Sequence, residues 1–366
     1  MNTKEKKITQ FQLFFLIFLT QIGIGVISLP YEVFKDSESD AWISVIIAGF
    51  FVQINIVLIW LLYRRFPSLT IFEMMSEVVG KHIAFIFKIA YILFFSSVAI
   101  LLILLFGRMT HIWIIPRTPN WIILLIMISL CVFCVKENLT VMARYYFVVS
   151  FSVIFFLILI TSFVKGINIL NILPVGQTGF PSIIKGTAQS LLSFLGYEML
   201  LVIFPYSLGK SVGKLKVALL ANGIVTIIYA YITFVCLTYL GPYVMKLIPE
   251  PILFILKFRS FQIIERTDLL FLSVWIATFG TSIMMYLYLT SNGLANMFTK
   301  TNRSTLLFCT ATLLYILVLF IPTNDNVINL ISNYIKFASY FFIFGLPCIL
   351  LFVSILRGKK GSPETV

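Results

Sequence analysis

A single carboxylate stands in the middle of a long apolar segment. Glu198 is the one ionisable residue in the run Ser193-Phe-Leu-Gly-Tyr-Glu-Met-Leu-Leu201. An ionised side chain at the centre of a bilayer costs about 3 kcal/mol on insertion scales, so a residue of this kind indicates a functional site. Gly196 and Tyr197 precede it, and glycine weakens a helix at that point. Irregular backbone at membrane depth is tolerated only where protein covers it or where it lines a cavity.

A second apolar segment shows the same kind of interruption, at Gly23-Ile24-Gly25. It is the first apolar segment of the first half of the chain, and the segment around Glu198 is the first apolar segment of the second half. Two interrupted segments in corresponding positions are typical of a transporter binding site near the bilayer midplane. The alternative is that the glycines only allow close helix packing.

The chemistry of such a site follows from the ends of the broken helices. The N-terminal end of a helix piece presents free N–H groups that suit a carboxylate, and the C-terminal end presents carbonyls that suit an ammonium group or a cation. Two breaks facing one cavity would satisfy both ends of a zwitterionic amino acid. Glu198 then has three open roles, which are counter-charge to the amine of the ligand, proton carrier, or buried acid that stays neutral.

Other polar residues of the apolar segments complete the predicted ligand site. Thr278, Thr281 and Ser282 lie three to four residues apart around Gly280, and isolated hydroxyls of this kind also bond to their own backbone. The predicted ligand-binding residues are Gly23, Ile24, Gly25, Ser96, Ser97, Gly196, Tyr197, Glu198, Thr278, Thr281 and Ser282. No second Cys or His pair completes the Cys131-x-x-Cys134 pattern, so we expect neither a metal site nor a cofactor.

Composition places these residues in a membrane protein. Of 366 residues, 60% are hydrophobic and only 11% are charged, whereas soluble domains average about 25% charged residues. The net charge of +13 is spread over short links between apolar runs, without a basic stripe interleaved with aromatics. That distribution indicates contact with lipid headgroups and not with nucleic acid.

Apolar runs of about 20 residues predict ten transmembrane helices in an all-α polytopic membrane protein. The run Phe11 to Pro30 is too long for a signal peptide and is predicted to be a retained helix. The predicted spans are 11–31, 41–63, 84–107, 120–135, 145–164, 186–208, 217–240, 268–289, 304–322 and 334–356.

The spans divide the single membrane domain 1–366 into two sets of five. An odd number in each half requires the second half to enter the membrane from the opposite side, so we predict an inverted five-plus-five repeat with broken first and sixth helices. The repeats are 11–165 and 186–356, with tails 1–10 and 357–366. Lys and Arg are enriched at the span ends that share a side with the N-terminus, which predicts that both tails are cytoplasmic.

Two links are more than simple connections. Residues 66–82 predict a short amphipathic helix on the inner surface, capped by Ser68 or Thr70 with Glu73 in its first turn. Residues 241–267 contain Pro249 and Pro251 and are too broken to span the membrane. They form either an interfacial or re-entrant lid over the outer entrance or a loop packed on the surface.

Several motifs, in the same order along most of the chain, resemble the B subunits of bacterial spore germinant receptors. They are Ile8-Thr9, Gly23-Ile-Gly-Val-Ile-Ser-Leu-Pro30, Asp40-Ala-Trp-Ile43, Arg65-Phe-Pro67 with Glu73, Gly196-Tyr-Glu198 with Pro205, Glu265-Arg266 with Asp268-Leu269, and Trp275-Ile276. That family belongs to the amino acid–polyamine–organocation transporter superfamily, whose fold is LeuT-like.

The resemblance implies a nutrient sensor of the spore inner membrane that detects an amino acid or a similar small germinant. It also implies two partners, a membrane-embedded A-type subunit and a C-type lipoprotein subunit. Related amino-acid transporters often have a small polar residue where this chain has Ile24, so side-chain recognition of a carboxylate is not expected from that position. The alternative function is an amino-acid permease coupled to H⁺ or Na⁺. The motifs contain no catalytic cluster, which disfavours an enzyme.

Overall fold

The computed structural model describes residues 7–162, 166–258 and 266–361, with the side chains of Ile24 and Phe258 left out. The described chain is helical, apart from loops, turns and one isolated bridge between Ile8 and Ser207. Glu265, part of one motif that carries the resemblance, lies outside the described residues, as do the end of the fifth predicted span, the first six residues and the last five.

Seven helices form the first half of the chain. They are α1 (Gln10–Gly25), α2 (Leu29–Ser37), α3 (Ala41–Arg65), α4 (Ile71–Val79), α5 (Lys81–Trp113), α6 (Asn120–Val135) and α7 (Leu139–Thr161). Helix α1 begins at Gln10 because Thr9 and Gln12 form a capping box, in which each side chain accepts a hydrogen bond from the other residue's backbone N–H.

Eight helices form the described part of the second half. They are α8 (Phe180–Ser190), α9 (Leu200–Ile203), α10 (Ser211–Met245), α11 (Pro251–Phe258), α12 (Thr267–Met297), α13 (Arg303–Phe320), α14 (Asp325–Ser339) and α15 (Leu346–Leu356). A π-helical turn, Tyr340–Gly345, joins α14 to α15.

The structure confirms an all-α membrane architecture. Among the described residues, seven helical segments are long and apolar enough to cross a membrane. Three shorter apolar helices, Gln10–Gly23, Asn120–Val135 and Tyr197–Tyr206, correspond to the first, fourth and sixth predicted spans. The total of ten spans stays a prediction.

The first predicted span is broken, but the break lies slightly later than the glycines that suggested it. Gly23 and Gly25 are still helical, and the turn comprises residues 26–28. The second piece, α2, begins with Pro30 in its first turn, where the missing N–H and fixed φ of proline are compatible with a helix start. The prediction that the helix is interrupted at Gly23-Ile24-Gly25 is therefore corrected to the three residues that follow.

The sixth predicted span is broken at the place where Glu198 lies. Helix α8 ends at Ser190, residues 191–196 form turns, and a 3₁₀ turn over Tyr197–Met199 leads into α9. Gly196 has φ of +122°, a conformation that side chains with a Cβ rarely adopt. The chain can change direction there because that residue is glycine.

Several predicted spans were too short at their N-terminal ends. The sixth span begins at Phe180, where Pro181 occupies the first turn, and the last span begins at Asp325, where the Asn324 side chain accepts from the Val327 N–H. These helices start in polar segments, which a hydropathy criterion leaves out, because capping and proline geometry set a helix start independently of apolar character.

The two links adopt compact structures. Thr70, one of the two predicted capping residues, forms a capping box with Glu73 immediately before α4. The apolar side of α4, including Phe72 and Met75, is buried against the protein, mainly against α5, and its position on the inner surface stays a prediction. Helix α11 packs its buried Leu253 and Leu256 between α10 and α12, and its role as a lid stays a prediction.

Candidate ligand site at the two helix breaks

Glu198 is fully buried at the start of the second piece of the broken sixth helix. Its Oε2 accepts the Gly196 N–H at 2.7 Å, and its Oε1 accepts the hydroxyl of Tyr286 from α12. The carboxylate therefore pairs with one backbone N–H of the break from within the break. This arrangement satisfies both carboxylate oxygens with donors from the protein itself.

Gly196 brings the two broken helices into direct contact. A Cβ on this residue would lie 2.8 Å from Thr20 Cγ2, 2.9 Å from the Thr20 carbonyl carbon and 3.0 Å from the Gln21 nitrogen. Two of those three atoms belong to the backbone of α1, which cannot move away as a flexible side chain would. The last turns of α1 therefore pack against the break of the sixth helix because residue 196 has no side chain.

The two glycines of α1 face different neighbours. A Cβ on Gly23 would lie 2.2 Å from the Ser282 Oγ of α12, and one on Gly25 would lie 2.6 Å from Ser193 Cβ and 2.8 Å from the Tyr229 hydroxyl of α10. Close helix packing, the alternative left open by the sequence, is therefore what these glycines provide in this structure. Ile24 lies between them in the helix, with its side chain outside the described part.

Hydroxyl groups of α12 bind the end of α1. Ser282 Oγ donates to the Thr20 carbonyl at 2.8 Å, and Thr281 Oγ1 lies 3.4 Å from the Leu19 carbonyl and 2.6 Å from the Thr278 carbonyl of its own helix. The cluster collects several oxygen atoms, all of them buried, at the junction of α1 and α12. The predicted residues Thr281 and Ser282 are thus joined to the first broken helix.

Thr278 connects this junction to α7 through a second hydroxyl. Its Oγ1 lies 2.8 Å from Ser152 Oγ, and either atom can be the donor. Tyr146, on the same helix as Ser152, donates to the Thr281 carbonyl. Helix α7 therefore also holds the predicted hydroxyl face of α12.

Tyr197 links the second break to two further helices. Asn55 Nδ2 of α3 donates to the Tyr197 hydroxyl at 2.9 Å and to the Ile343 carbonyl at 3.1 Å. Ile343 belongs to the π-helical turn between α14 and α15. One amide group thus connects the broken sixth helix to the last span.

Ser96 and Ser97 lie apart from these contacts. Ser97 Oγ donates to the Phe94 carbonyl of its own helix at 2.7 Å, and both serines are half-buried on α5. Within the described part of the chain, no hydrogen bond joins either serine to the two breaks. Their inclusion in the ligand site stays a prediction that no such hydrogen bond supports.

Several residues at the breaks were missed by the sequence analysis. Tyr286, Asn55, Gln21, Asn222 and Tyr229 all lie buried beside them. Buried amides in apolar spans are a signal that a closer search would use, because each needs partners. The two tyrosines gave no such signal, since aromatic residues are common throughout this chain.

Two of these amides carry an oxygen without a donor. Gln21 Nε2 donates to the Phe194 carbonyl at 3.0 Å and to Asn222 Oδ1 at 3.1 Å, but Gln21 Oε1 has no hydrogen-bond partner within the described structure. The same holds for Asn55 Oδ1. A buried unpaired acceptor costs about 1–3 kcal/mol, so these two atoms are available to accept from a ligand donor.

The remaining chemistry of the described residues does not include a metal centre. They contain no group of three or more His, Cys, Asp or Glu side chains arranged to hold a metal ion. Cys131 is buried on α6 with its Sγ 3.8 Å from the Gly280 carbonyl, as a small core residue.

The folded chain is similar to solved transporters. It aligns with the structure of MhsT in complex with L-phenylalanine at a TM-score of 0.70 and 13% identity, covering 98% of this chain and 91% of that one. It aligns with a substrate-bound Na⁺-coupled sialic acid symporter at a TM-score of 0.66 and 12% identity, covering 92% and 79% of the two chains. These likenesses confirm the LeuT-like fold with broken first and sixth helices.

Sequence relatives cover the chain from end to end. Spore germination protein GerQB of Bacillus cereus is 26% identical over 361 residues, 97% of this chain and 98% of the relative. Spore germination protein A2 of Bacillus subtilis (strain 168) is 27% identical over 359 residues, 96% and 97% of the two chains. Residues 7–328 match the family described as spore germination protein. The protein is therefore a member of the spore germination protein family, with the fold of a membrane permease.

Proposed function

We propose that the protein is the nutrient-sensing membrane subunit of a spore germination receptor, which binds an amino acid or a similar small molecule between its two broken helices. The observation that carries the proposal is the meeting of the two breaks around buried Glu198. Membership of the family supports a role in germination, and the L-phenylalanine bound to MhsT supports a ligand of this size and chemistry.

The buried polar atoms at the breaks suit the two ends of an amino acid. Gln21 Oε1 and Asn55 Oδ1 are acceptors without donors in the described structure, and they match an ammonium group. Glu198 accepts the Gly196 N–H in this structure, so a ligand carboxylate at the break would have to replace it as the acceptor of that N–H. The structure is compatible with each of the three roles proposed for Glu198. The hydrogen bond from Tyr286 holds the Glu198 side chain in place before a ligand binds.

The breaks are in contact in this structure, so ligand binding requires them to separate. Gly25 lies against Ser193, and Gly196 lies against Thr20. A ligand that binds only the separated arrangement shifts the equilibrium between two conformations by its difference in affinity for them. In a receptor, this shift is the signal that the A-type and C-type partner subunits receive, in a spore inner membrane with both tails of this chain on the cytoplasmic side.

The proposal is tested by binding and counterflow measurements on the purified protein in proteoliposomes, with the twenty labelled amino acids. We expect one or a few to bind, and we expect Glu198→Gln and Gly25→Leu to weaken that binding at least tenfold. The first variant removes the charge, and the second disrupts the contact between the breaks, because even a Cβ at residue 25 would lie 2.6 Å from Ser193 Cβ and 2.8 Å from the Tyr229 hydroxyl. The matched control is Ser273→Ala, which removes an exposed hydroxyl bonded to its own helix, outside the predicted site, and should bind as the original protein does.

Unchanged ligand binding in both variants of properly folded protein would show that the breaks are not the ligand site. Binding of none of the amino acids would leave other small molecules, such as a sugar, to be tested in the same preparation. Counterflow of a bound amino acid would show that the protein also transports it.

The second candidate function is a cation-coupled amino-acid permease. The buried hydroxyls of Thr281 and Ser282 and the carbonyls of Leu19 and Thr20 provide oxygen atoms, which are the ligands that hard cations prefer. A neighbour with the same fold is a Na⁺-coupled symporter. Counterflow that depends on Na⁺ and is lost in Ser282→Ala would favour the permease, whereas binding without any flux would favour the sensor.

A further inference from the structure

We propose that the protein binds the headgroup of an anionic phospholipid in a groove between the end of α3 and the end of α15. The groove has a volume of about 370 Å³, and none of its lining residues belongs to the two breaks. Its lining residues combine three cationic and three apolar side chains, which are Arg64, Arg65, Lys360, Leu61, Leu351 and Ile355.

The positive charge of this groove is not neutralised within the described structure. Arg64 lies over the Trp60 ring, 4.9 Å from its centroid, and Arg65 donates to the carbonyls of Ser354 at 3.0 Å and Lys359 at 3.3 Å. These partners are neutral. No carboxylate of the described residues forms an ion pair with any of the three cations, so the groove offers its charge to an external anion.

The backbone fixes the third cation beside the other two. After α15 ends at Leu356, the chain folds back, and the Gly361 N–H donates to the Arg65 carbonyl at 2.9 Å. Lys360, immediately before Gly361, is thereby placed at the end of α3. Lys359 is bonded elsewhere, to the Glu77 carbonyl at 2.5 Å, and lines a neighbouring cavity that Lys360 also borders.

The apolar wall of the groove determines which anion fits. Leu61 is 37% exposed and Ile355 is 54% exposed, in the last turns of two apolar helices. These turns lie where hydrocarbon meets headgroups, because charged residues follow them at once. A phospholipid would place its phosphate among the three cations and its alkyl chains along Leu61 and Ile355. It would therefore occupy both the cationic and the apolar half of the groove, whereas a free phosphate would occupy only the cationic half.

The position of the groove gives the lipid a structural consequence. A headgroup bridging Arg64 and Lys360 would hold the C-terminal segment to the end of α3, next to the Trp60 that donates to Ser211 at the start of α10. Anionic lipid would therefore stabilise the contact among the second, seventh and last predicted spans.

The test uses the full chain purified in detergent and native mass spectrometry with dioctanoyl phosphatidylglycerol. Dioctanoyl phosphatidylcholine and glycerol phosphate are the comparison ligands. We expect phosphatidylglycerol to bind in preference to both, and the double variant Arg64→Gln, Lys360→Gln to weaken its binding on the order of tenfold or more, given the typical contribution of each basic residue near a lipid surface.

Two further variants distinguish binding in the groove from non-specific electrostatic attraction of anionic lipid. Lys210→Gln, Lys216→Gln removes the same charge from exposed positions near the start of α10, outside the groove, and should bind phosphatidylglycerol as the original protein does. Ile355→Trp keeps every charge and fills the apolar half of the groove, so it should also weaken binding of phosphatidylglycerol.

Three results would overturn the proposal. They are equal binding of phosphatidylglycerol and phosphatidylcholine, equal loss in the control double variant, and binding of glycerol phosphate as strong as that of the lipid. The last result would assign the groove to a soluble phosphate compound. The melting temperature of each variant in lipid-free detergent should match that of the original protein, because the changed side chains lie at the surface.

Discussion

At the scale of single residues, the site depends on one glycine as much as on one carboxylate. Gly196 has φ of +122° and touches the backbone of α1, and its N–H donates to the Glu198 side chain two residues later. The carboxylate is held by this N–H and by the Tyr286 hydroxyl. Replacing either residue therefore changes the backbone path of the break and not only the group that meets a ligand.

Gly196→Ala should lower the free energy of unfolding by about 1–3 kcal/mol, because a Cβ is strained at this φ and collides with Thr20. The measurement is thermal unfolding in detergent. The matched control is Gly80→Ala, at φ of +89° with no atom within 4 Å of the added Cβ. Equal losses in the two variants would mean that the contact between the broken helices contributes nothing.

At the scale of elements, the π-helical turn Tyr340–Gly345 leaves carbonyl groups for side chains of other helices. Asn55 of α3 donates to the Ile343 carbonyl, and Tyr91 of α5 donates to the Phe342 carbonyl. Asn55 also donates to the Tyr197 hydroxyl at the second break. One amide group thus contacts both the break and the last span.

Asn55→Leu should free the π-helical turn and lower the free energy of unfolding by about 1–3 kcal/mol, since two buried acceptors lose their donor. Hydrogen exchange of residues 340–345 should become faster. The control is Gln53→Leu on the same helix, which removes a hydrogen bond to the Leu219 carbonyl of α10 and leaves the turn intact. Unchanged exchange in Asn55→Leu would contradict a link between the break and the last span.

At the scale of the whole molecule, the two halves are joined at the ends of both broken helices. The Ile8 N–H donates to the Tyr206 carbonyl at 2.8 Å, and the Leu208 N–H donates to the Ile8 carbonyl at 2.7 Å. The segment before α1 is therefore paired with the segment after α9. This short backbone pairing joins the segments that flank the two broken helices.

Leu208→Pro should weaken this pairing, because proline has no N–H, and we expect a loss of about 1 kcal/mol in unfolding free energy. The Leu208 side chain is 45% exposed, so Leu208→Ala is a matched control that keeps the N–H. Limited proteolysis near the N-terminus should be faster only in the proline variant. Equal cleavage rates in the two variants would show that the pairing does not hold the N-terminal segment.

Hydropathy and glycine patterns were sufficient to predict much of this fold. The fourth predicted span, 120–135, coincides with α6, and both interrupted spans are broken in the structure. Helix starts such as Phe180 and Asp325 were missed because polar caps and prolines set them. The Gly23 to Gly25 break was misplaced by up to three residues because glycine serves close packing as well as chain reversal.

The sequence by itself determined the membrane class, the two broken helices and the isolated acid, because an apolar span tolerates few charges and few helix interruptions. Only the tertiary structure decided which groups surround that acid. Tyr286 lies 88 residues after Glu198, and Asn55 lies 142 residues before Tyr197. The position of a hydroxyl or amide group in the sequence does not reveal its hydrogen-bond partner. The packing of helices that are distant in sequence determines which donor reaches which acceptor.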